Sequence, residues 1–509
     1  MHKSVRTAFL VIVAVFFLSA SMIPAYSDQP KRDSVNLSTL ASLTSVDPHP
    51  GAENVQDNIV YAQVYEGLVA QNQGTGEYEM RIAESYSISE DGKTYTFKLR
   101  PNAKFHNGEP VNASDVVFSL KRVKGMPGRS IYTSDIDDVV VVDDKTVNIV
   151  MKGKNAATLN SLSRLMILSE KEVTSQGESF GTKVAKAGTG PYFFTEFEHG
   201  VGWKMEAFSD YYRGPASIKY INWKPISEAS AGLIAFESGE LDWYIAPVAN
   251  WSQLEKNESI NSELVAANHI SFISVNYERG ALNDDNVRKA IAYAISKEHM
   301  VDGSLDGYAV IAKSMIRPGY NTGAPTDTFQ YEYDPEKAKE YLAKSGYQNG
   351  VDIGTITVVA GGYFEKVAQI LQADLAAVGI KGTIRRMENA ASLAAYRVQD
   401  YDIAVTGNPL TGDYNFYRAM VDSHMVGSFL VKFEGDKFDY KRFDRLFEEG
   451  VQELDPVKRM AIYTELDKAV MDTACYLPMF HRTLPLIWVK GLSLTNYHTN
   501  PQVFEWKWE

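Results

Sequence analysis

A single cysteine, Cys475, stands among 509 residues. One thiol excludes an internal disulfide and every multi-cysteine metal cluster. Positive charge is also short: 51 Lys plus Arg face 64 Asp plus Glu, for a net charge of -13. A chain of that sign lacks the electrostatic footprint for a phosphate backbone, and no nucleic-acid partner is expected. Beyond the first eighteen residues no apolar run is long enough to cross a membrane. Internal repeats, low-complexity tracts and long linkers are missing as well. What is present is ordinary for a globular protein, with 45% hydrophobic and 23% charged residues. That composition excludes disordered and collagen-like classes. At about 150 residues per domain, the length allows roughly three domains or lobes.

The N-terminus carries Lys3 and Arg6, then the apolar run Ala8–Leu18, then small residues. That order predicts a secretory signal peptide over 1–27, cut after Ala25-Tyr26-Ser27, because the run is too short for a spanning helix. Its removal takes away two basic residues and no acid, leaving a net charge of -15. No cysteine follows the segment to carry a lipid, so a lipoprotein is not expected. The reading is a soluble exported protein, periplasmic in a bacterium with two membranes. Without disulfides its fold must rest on a large core, which a chain of this length can build.

Strands dominate the first part. Tyr95, Phe97 and Leu99 alternate within Thr94–Arg100, between the turn signals Asp91-Gly92 and Pro101-Asn102. Asn112 and Asp115 have the spacing of a helix cap leading into Val116–Val123. Asp143-Asp144 divides two β-branched runs, which predicts a hairpin. Helices follow later. Val287, Ala290, Ile291, Ala294 and Ile295 keep helical spacing behind a cap drawn from 283–286. Asp334-Pro335 and Asp455-Pro456 each open a helix with Pro at its first position. Phe364 to Val378 forms another amphipathic helix, stopped by Gly379. Thr355–Ala360 and Tyr401–Thr406 read as strands. The alternation after residue 280 predicts an α/β lobe.

Catalytic patterns are weak. Gly177-Glu178-Ser179-Phe180-Gly181 matches G-x-S-x-G, but its flanks are polar where that mechanism needs a strand before and a helix after. The nine histidines form no zinc-protease pair. Gly74-Thr75-Gly76 lacks the third glycine and helix of a dinucleotide site. No catalytic residue, cofactor or metal is expected. Arg385-Arg386 could clamp a carboxylate through paired donors, or could be a solvated strand end. Trp243-Tyr244 either faces a cleft or packs in the core.

The stretch Ala83–Leu120, with its Asp-Gly turn, aromatic strand ending in Leu-Arg, and Phe105-His106-Asn107-Gly108-Glu109-Pro110, resembles the family 5 solute-binding proteins of ABC importers. Supporting motifs occur in the family's order: Tyr65-Glu66-Gly67-Leu68, Gly188-Thr189-Gly190-Pro191-Tyr192, Val287-Arg288-Lys289-Ala290 and Tyr333-Asp334-Pro335. The resemblance covers nearly the whole chain after Val35. It implies an α/β, two-lobed, class II-like periplasmic binding protein of three domains, with the ligand cleft between the lobes. Domain I would comprise 33–66, 188–270 and 484–509, domain II 67–187, mainly β, and domain III 271–483. Two strands would link the lobes as a hinge. The implied function is capture of a small peptide-like solute for an inner-membrane ABC permease, by a monomer. An opine-like, sugar-derived or metal-chelate solute, and a sensor or chaperone role, stay open. The glycines and Pro191 of the 188–192 motif are expected to set turns. His106 is expected at a turn or the surface.

In peptide-binding relatives an Asp after a strand ending Gly-Trp pairs the ligand's ammonium. Here Asn408 stands in place of the tryptophan. Aligned without gaps from Gly407, the acid falls on Thr411; with the loop shifted it is Asp413, the candidate adopted. The alternative for Asp413 is a turn cap before a helix over Phe416–Val421. The dipeptide-type carboxylate partner is an Arg just before the helix near Tyr363, and none stands there. Thr44, in the loop after the first strand, is expected to touch the ligand. Tyr363, Asn408, Tyr414 and Arg386 complete the candidate ligand-binding set. His424 could touch a metal chelate, though a lone histidine has ordinary surface or core roles.

Overall fold

Short-range signals build the elements first. In the computed structural model, residues 32–50, 55–72, 74–126, 132–320, 325–409, 413–414, 433, 437–495 and 501–509 are described. The signal-peptide reading of 1–27, the helix over Phe416–Val421, Thr411 and His424 lie outside them. Helix Ala113–Lys124 starts where its cap predicts: the Asn112 N–H donates to Asp115 Oδ2 at 3.0 Å. Asp284, Asp334 and Asp455 cap helices Asp285–Ala294, Pro335–Lys344 and Pro456–Asp472, each accepting a first-turn backbone N–H.

These elements gather around three main sheets. One has four strands: Ser34–Thr39 lies parallel to Tyr220–Pro225, which continues antiparallel to Gly202–Ala207 and Tyr192–Glu198. A second, wholly antiparallel, orders Ala83–Ile88, Thr94–Leu99, Thr146–Met151 and Ile136–Asp143. The last two form the hairpin read from Asp143-Asp144. Tyr95, Phe97 and Leu99 are buried there with Val116, Leu120 and Val123 of the capped helix.

The third sheet positions the site. Its path runs Trp243–Ile245, Tyr476–Val489, Ile260–Val275, Ile403–Pro409, Val351–Val359, Ile380–Met387, with Ala309–Ile311 also paired to Tyr476–Val489. Helices Asp285–Ala294 and Gly362–Ala377 pack with Ile273, Ile356 and Val405. Helices Tyr440–Gln452 and Pro456–Asp472 pack with Ile270, Phe272 and Ala404 in a separate cluster. This is the α/β layering expected after residue 280. Val351–Val359 has parallel neighbours on both sides, reached by crossovers through helices Gly362–Ala377 and Asn389–Arg397. Crevices at the carboxyl ends of such strands are the usual ligand positions of open α/β sheets.

The two longest strands, Ile260–Val275 and Tyr476–Val489, are antiparallel and join separate cores. Their Val275 and Tyr476 ends lie in the α/β layers, while Leu486 and Trp488 join Val35, Trp203 and Trp223 in the core of the first sheet. Between these anchors the register breaks. Ala266 faces Thr483 and Ile270 faces His481, so three residues oppose Arg482 in a bulge.

Tertiary packing refines one expectation and overturns another. His106 does sit in a turn, but it is buried, with Nε2 2.9 Å from the Gly190 carbonyl and its ring edge-on to Phe208. Gly188 and Gly190 serve close approach instead of a tight turn: a Cβ would stand 2.3 Å from Val64 O at the first and 2.7 Å from Gln63 O at the second. Trp243 and Tyr244 are both core residues, in the clusters of Trp203 and of Phe236 respectively.

Candidate functional site

The bulge and the carboxyl edge of the third sheet bring polar side chains to one place. Strands between parallel neighbours are normally covered on both faces, whereas antiparallel strands can leave one face open. Here Asn268, His269, Thr406, Gly407, Asn408 and Arg482 are only half-buried. Gly361 and Gly362, with φ of 80° and 67°, turn the chain from Val359 into helix Gly362–Ala377. That turn places Tyr363 and Phe364 against the bulge. The Arg482 guanidinium lies over the Tyr363 ring, 4.7 Å from its centroid. The Tyr363 hydroxyl is 3.4 Å from Ser271 Oγ. The His269 ring tilts against Phe364 with centroids 6.4 Å apart.

Gly407 makes that arrangement possible. A Cβ at this position would fall 2.4 Å from His269 Cε1 and 2.7 Å from Ile270 O. Behind Arg482, His481 is fully buried and Arg317 nearly so. Arg317 donates from Nε to Asn268 Oδ1 and from Nη2 to Gly74 O, both at 2.8 Å. The 74–76 turn, read above as no dinucleotide loop, thus docks on the bulge; Asn72 Oδ1 closes it by accepting the Gly74 N–H at 2.9 Å.

The electrostatics are one-sided. Burial, reinforced by Arg482, holds the His269 imidazole at about 4. Burial, then Arg317, brings His481 to about 3. Burial pushes the Lys297 ammonium down to about 7, where it donates to Ala312 O at 2.6 Å. His269 Nδ1 and Arg482 Nε are buried and have no hydrogen-bond partner among the described residues. Among the described residues no group of three or more His, Cys, Asp or Glu could hold a metal ion.

The expected ligand set divides. Tyr363 joins Arg482 and His269. Asn408 lies on the adjoining strand, in register with Ile270. Arg386 points its guanidinium to Glu365 in the first turn of the same helix, and Arg385 to Asp400. Thr44 is exposed in its loop. Asp413, expected to face an ammonium group, instead closes a buried ion pair: Arg459 Nη1 and Nη2 reach its two oxygens at 2.8 Å each. Tyr414 is buried too, donating to Asp467 Oδ1 at 2.7 Å beneath Phe447 and Tyr463. Both oxygens of Asp413 are thus engaged by one guanidinium, which pairs its charge within the α/β layers.

Sequence reasoning missed His269, Arg317, His481 and Arg482. One signal was available: His481-Arg482 interrupts the otherwise apolar strand Tyr476–Val489. Ser179 has no catalytic setting. It follows helix Glu170–Gln176, and its hydroxyl donates to Gln176 O at 2.8 Å. A strained turn between a strand and a helix is absent there.

The fold is a two-lobed α/β scaffold with a polar group where its long strands cross between cores. The family model for bacterial extracellular solute-binding proteins, family 5, matches residues 77–423. The chain belongs to that family, which is named for solute binding. Among curated relatives, the glutathione-binding protein GsiB of Pectobacterium atrosepticum is 30% identical over 72% of this chain and 71% of its own length. The dipeptide-binding protein of Escherichia coli is 28% identical over 83% of this chain and 84% of its own. The heme-binding protein A of Haemophilus influenzae is 26% identical over 84% and 83%. Among solved structures, the substrate-binding protein CtaP of Listeria monocytogenes superposes with TM-score 0.83 over 94% of this chain and 99% of its own, at 22% identity. NikA of Brucella suis, solved with Fe(III)-EDTA, also gives 0.83, over 94% and 100%, at 22% identity. At those identities the likeness speaks for the fold.

Proposed function

We propose that this protein captures a small peptide-like solute in the periplasm and hands it to an inner-membrane ABC permease. The observation that carries the reading is the pair of long strands crossing between two cores with a polar bulge at the crossing. Contacts made from both lobes exist only when the lobes are closed, so binding selects closure. We place domain I at 33–66, 188–270 and 484–509, domain II at 67–187 and domain III at 271–483, with the crossing strands as hinge. The segment 1–27 acts as the export signal. Among the described residues no helix is long and apolar enough to cross a membrane, which accords with delivery to a separate permease.

Relatives named for glutathione, a dipeptide and heme set the panel: glutathione, dipeptides, heme, an opine and a metal chelate. A cognate solute at a hundred times its Kd raises stability by about 2.7 kcal/mol through mass action. Thermal unfolding against the panel, paired with solution scattering, tests the reading. A rise in Tm together with a smaller radius of gyration is expected for one class of compound. A panel that leaves both unchanged refutes it, as does turnover of any bound compound.

A further inference from the structure

The geometry points to Arg482, with His269 beside it, as the subsite that holds a carboxylate of the captured solute; this rests on the solute-capture reading above. The dipeptide-type arginine is missing in line from the start of helix Gly362–Ala377. Arg482 arrives at the same place from a different strand, stacked on Tyr363. Its Nε is buried with no hydrogen-bond partner among the described residues. A desolvated guanidinium nitrogen without an acceptor is costly, so the site is built for an acceptor that comes from elsewhere.

The Tyr363 hydroxyl stands near the guanidinium, but no neighbouring carboxylate supplies the acceptor for Nε. Glu365, the nearest acid on the helix, accepts the Gly361 N–H at 2.7 Å and pairs with Arg386. Asp413 is chelated by Arg459. Arg317 and Lys297 add positive charge behind His481, and His269 Nδ1 is a second buried atom left without a partner. A planar carboxylate suits this group, because one oxygen can take the guanidinium while the other takes the imidazole N–H. The helix N-terminus at Gly362 favours the same sign of charge. Tyr363 and Phe364, their rings 4.2 Å apart, offer an apolar wall for the rest of the molecule.

The test uses the dipeptide Ala-Leu as free acid and as C-terminal amide, and glutathione as free acid and as its diamide. Affinities are measured by calorimetry on wild type, Arg482→Gln, Arg482→Lys and the remote control Lys224→Gln. Wild type and the control are expected to prefer the acids at least tenfold, the range of a charge-assisted hydrogen bond. Arg482→Gln should abolish the preference, with acid and amide then binding equally. Arg482→Lys should fall between. Equal affinity for acid and amide in the wild type overturns the subsite, and so does a tenfold preference that survives in Arg482→Gln. If Arg482→Gln does not fold, Arg482→Lys decides: a full wild-type preference there counts against the paired-oxygen geometry. Wild type that binds none of the four compounds, while a solute without any carboxylate stabilises it, removes the carboxylate subsite but keeps solute capture. Failure of the entire panel removes both.

Discussion

Replacing Arg459 by methionine isolates the most consequential ion pair of the α/β layers. The substitution keeps an unbranched, flexible side chain but strands Asp413, which is 3% exposed, without its guanidinium. Removing one partner of a buried pair costs about 3–5 kcal/mol, because the other charge is left uncompensated. Arg459 also donates to Gly450 O at 3.0 Å, so the upper half of that range is expected. A lobe of this size has a urea m-value of about 2–3 kcal/mol/M, which converts the loss into a midpoint shift of about 1.3–2.5 M. The seven tryptophans all belong to the first core and its satellite, at 203, 223, 243, 251, 488, 506 and 508. Far-UV circular dichroism should then report the shifted transition while tryptophan fluorescence moves less. Arg459→Met within about 1 kcal/mol of wild type at pH 7, against the magnitude expected for a buried pair, would refute the assignment of Asp413 to a structural pair. It would return Asp413 to the list of ligand contacts.

Two further outcomes follow from the same packing. Gly407→Ala should cost about 1–3 kcal/mol, because the new methyl meets the Ile270 carbonyl at 2.7 Å and backbone in a central strand cannot yield; a melting curve superimposable on wild type would count against it. His106, held at about 4 by burial against an unfolded value near 6.5, withholds a proton the unfolded chain accepts. The depressed value means its contribution is complete above about pH 7 and is lost as pH falls from 6.5 toward 4. Between pH 7 and 4.5 the wild type should lose about 2 kcal/mol more than His106→Gln, measured by urea unfolding at both pH values; equal losses would show that His106 does not titrate with unfolding.

Local chemistry made much of the fold legible. Asn112 with Asp115, Asp334 before Pro335, and Asp455 before Pro456 each satisfy backbone donors within a few residues, so the sequence alone marks where those helices begin. Alternation did the same for Tyr95, Phe97 and Leu99. Glycines that serve another segment escaped this reasoning. Gly188 and Gly190 look like turn residues until Val64 and Gln63 are seen lying against them. His106 reads as surface until Gly190 and Phe208 close over it. In each case the deciding partner lies tens of residues away, and no periodicity encodes it.

The site shows the same limit more sharply. Reading along the chain, the place for a carboxylate partner is the residue before the helix at Tyr363, and that place is empty of arginine. The structure fills it sideways. Strand Tyr476–Val489 pairs with Ile260–Val275, and the bulge at 267–269 fixes which residue of the former meets the helix start. Shifting that register by one residue would turn Arg482 to the opposite face and bring His481 forward, because side chains alternate along a strand. The charge of the pocket is thus set by a pairing register between segments two hundred residues apart. Asp413 gives the converse case. Its sequence position suits an ammonium partner, yet Arg459, one turn into the helix that Asp455 caps, reaches it first. A spacing motif transfers a role only if no distant residue claims the same group, and here two distant arginines decide the matter: one removes an acid from the cleft, the other puts a base into it.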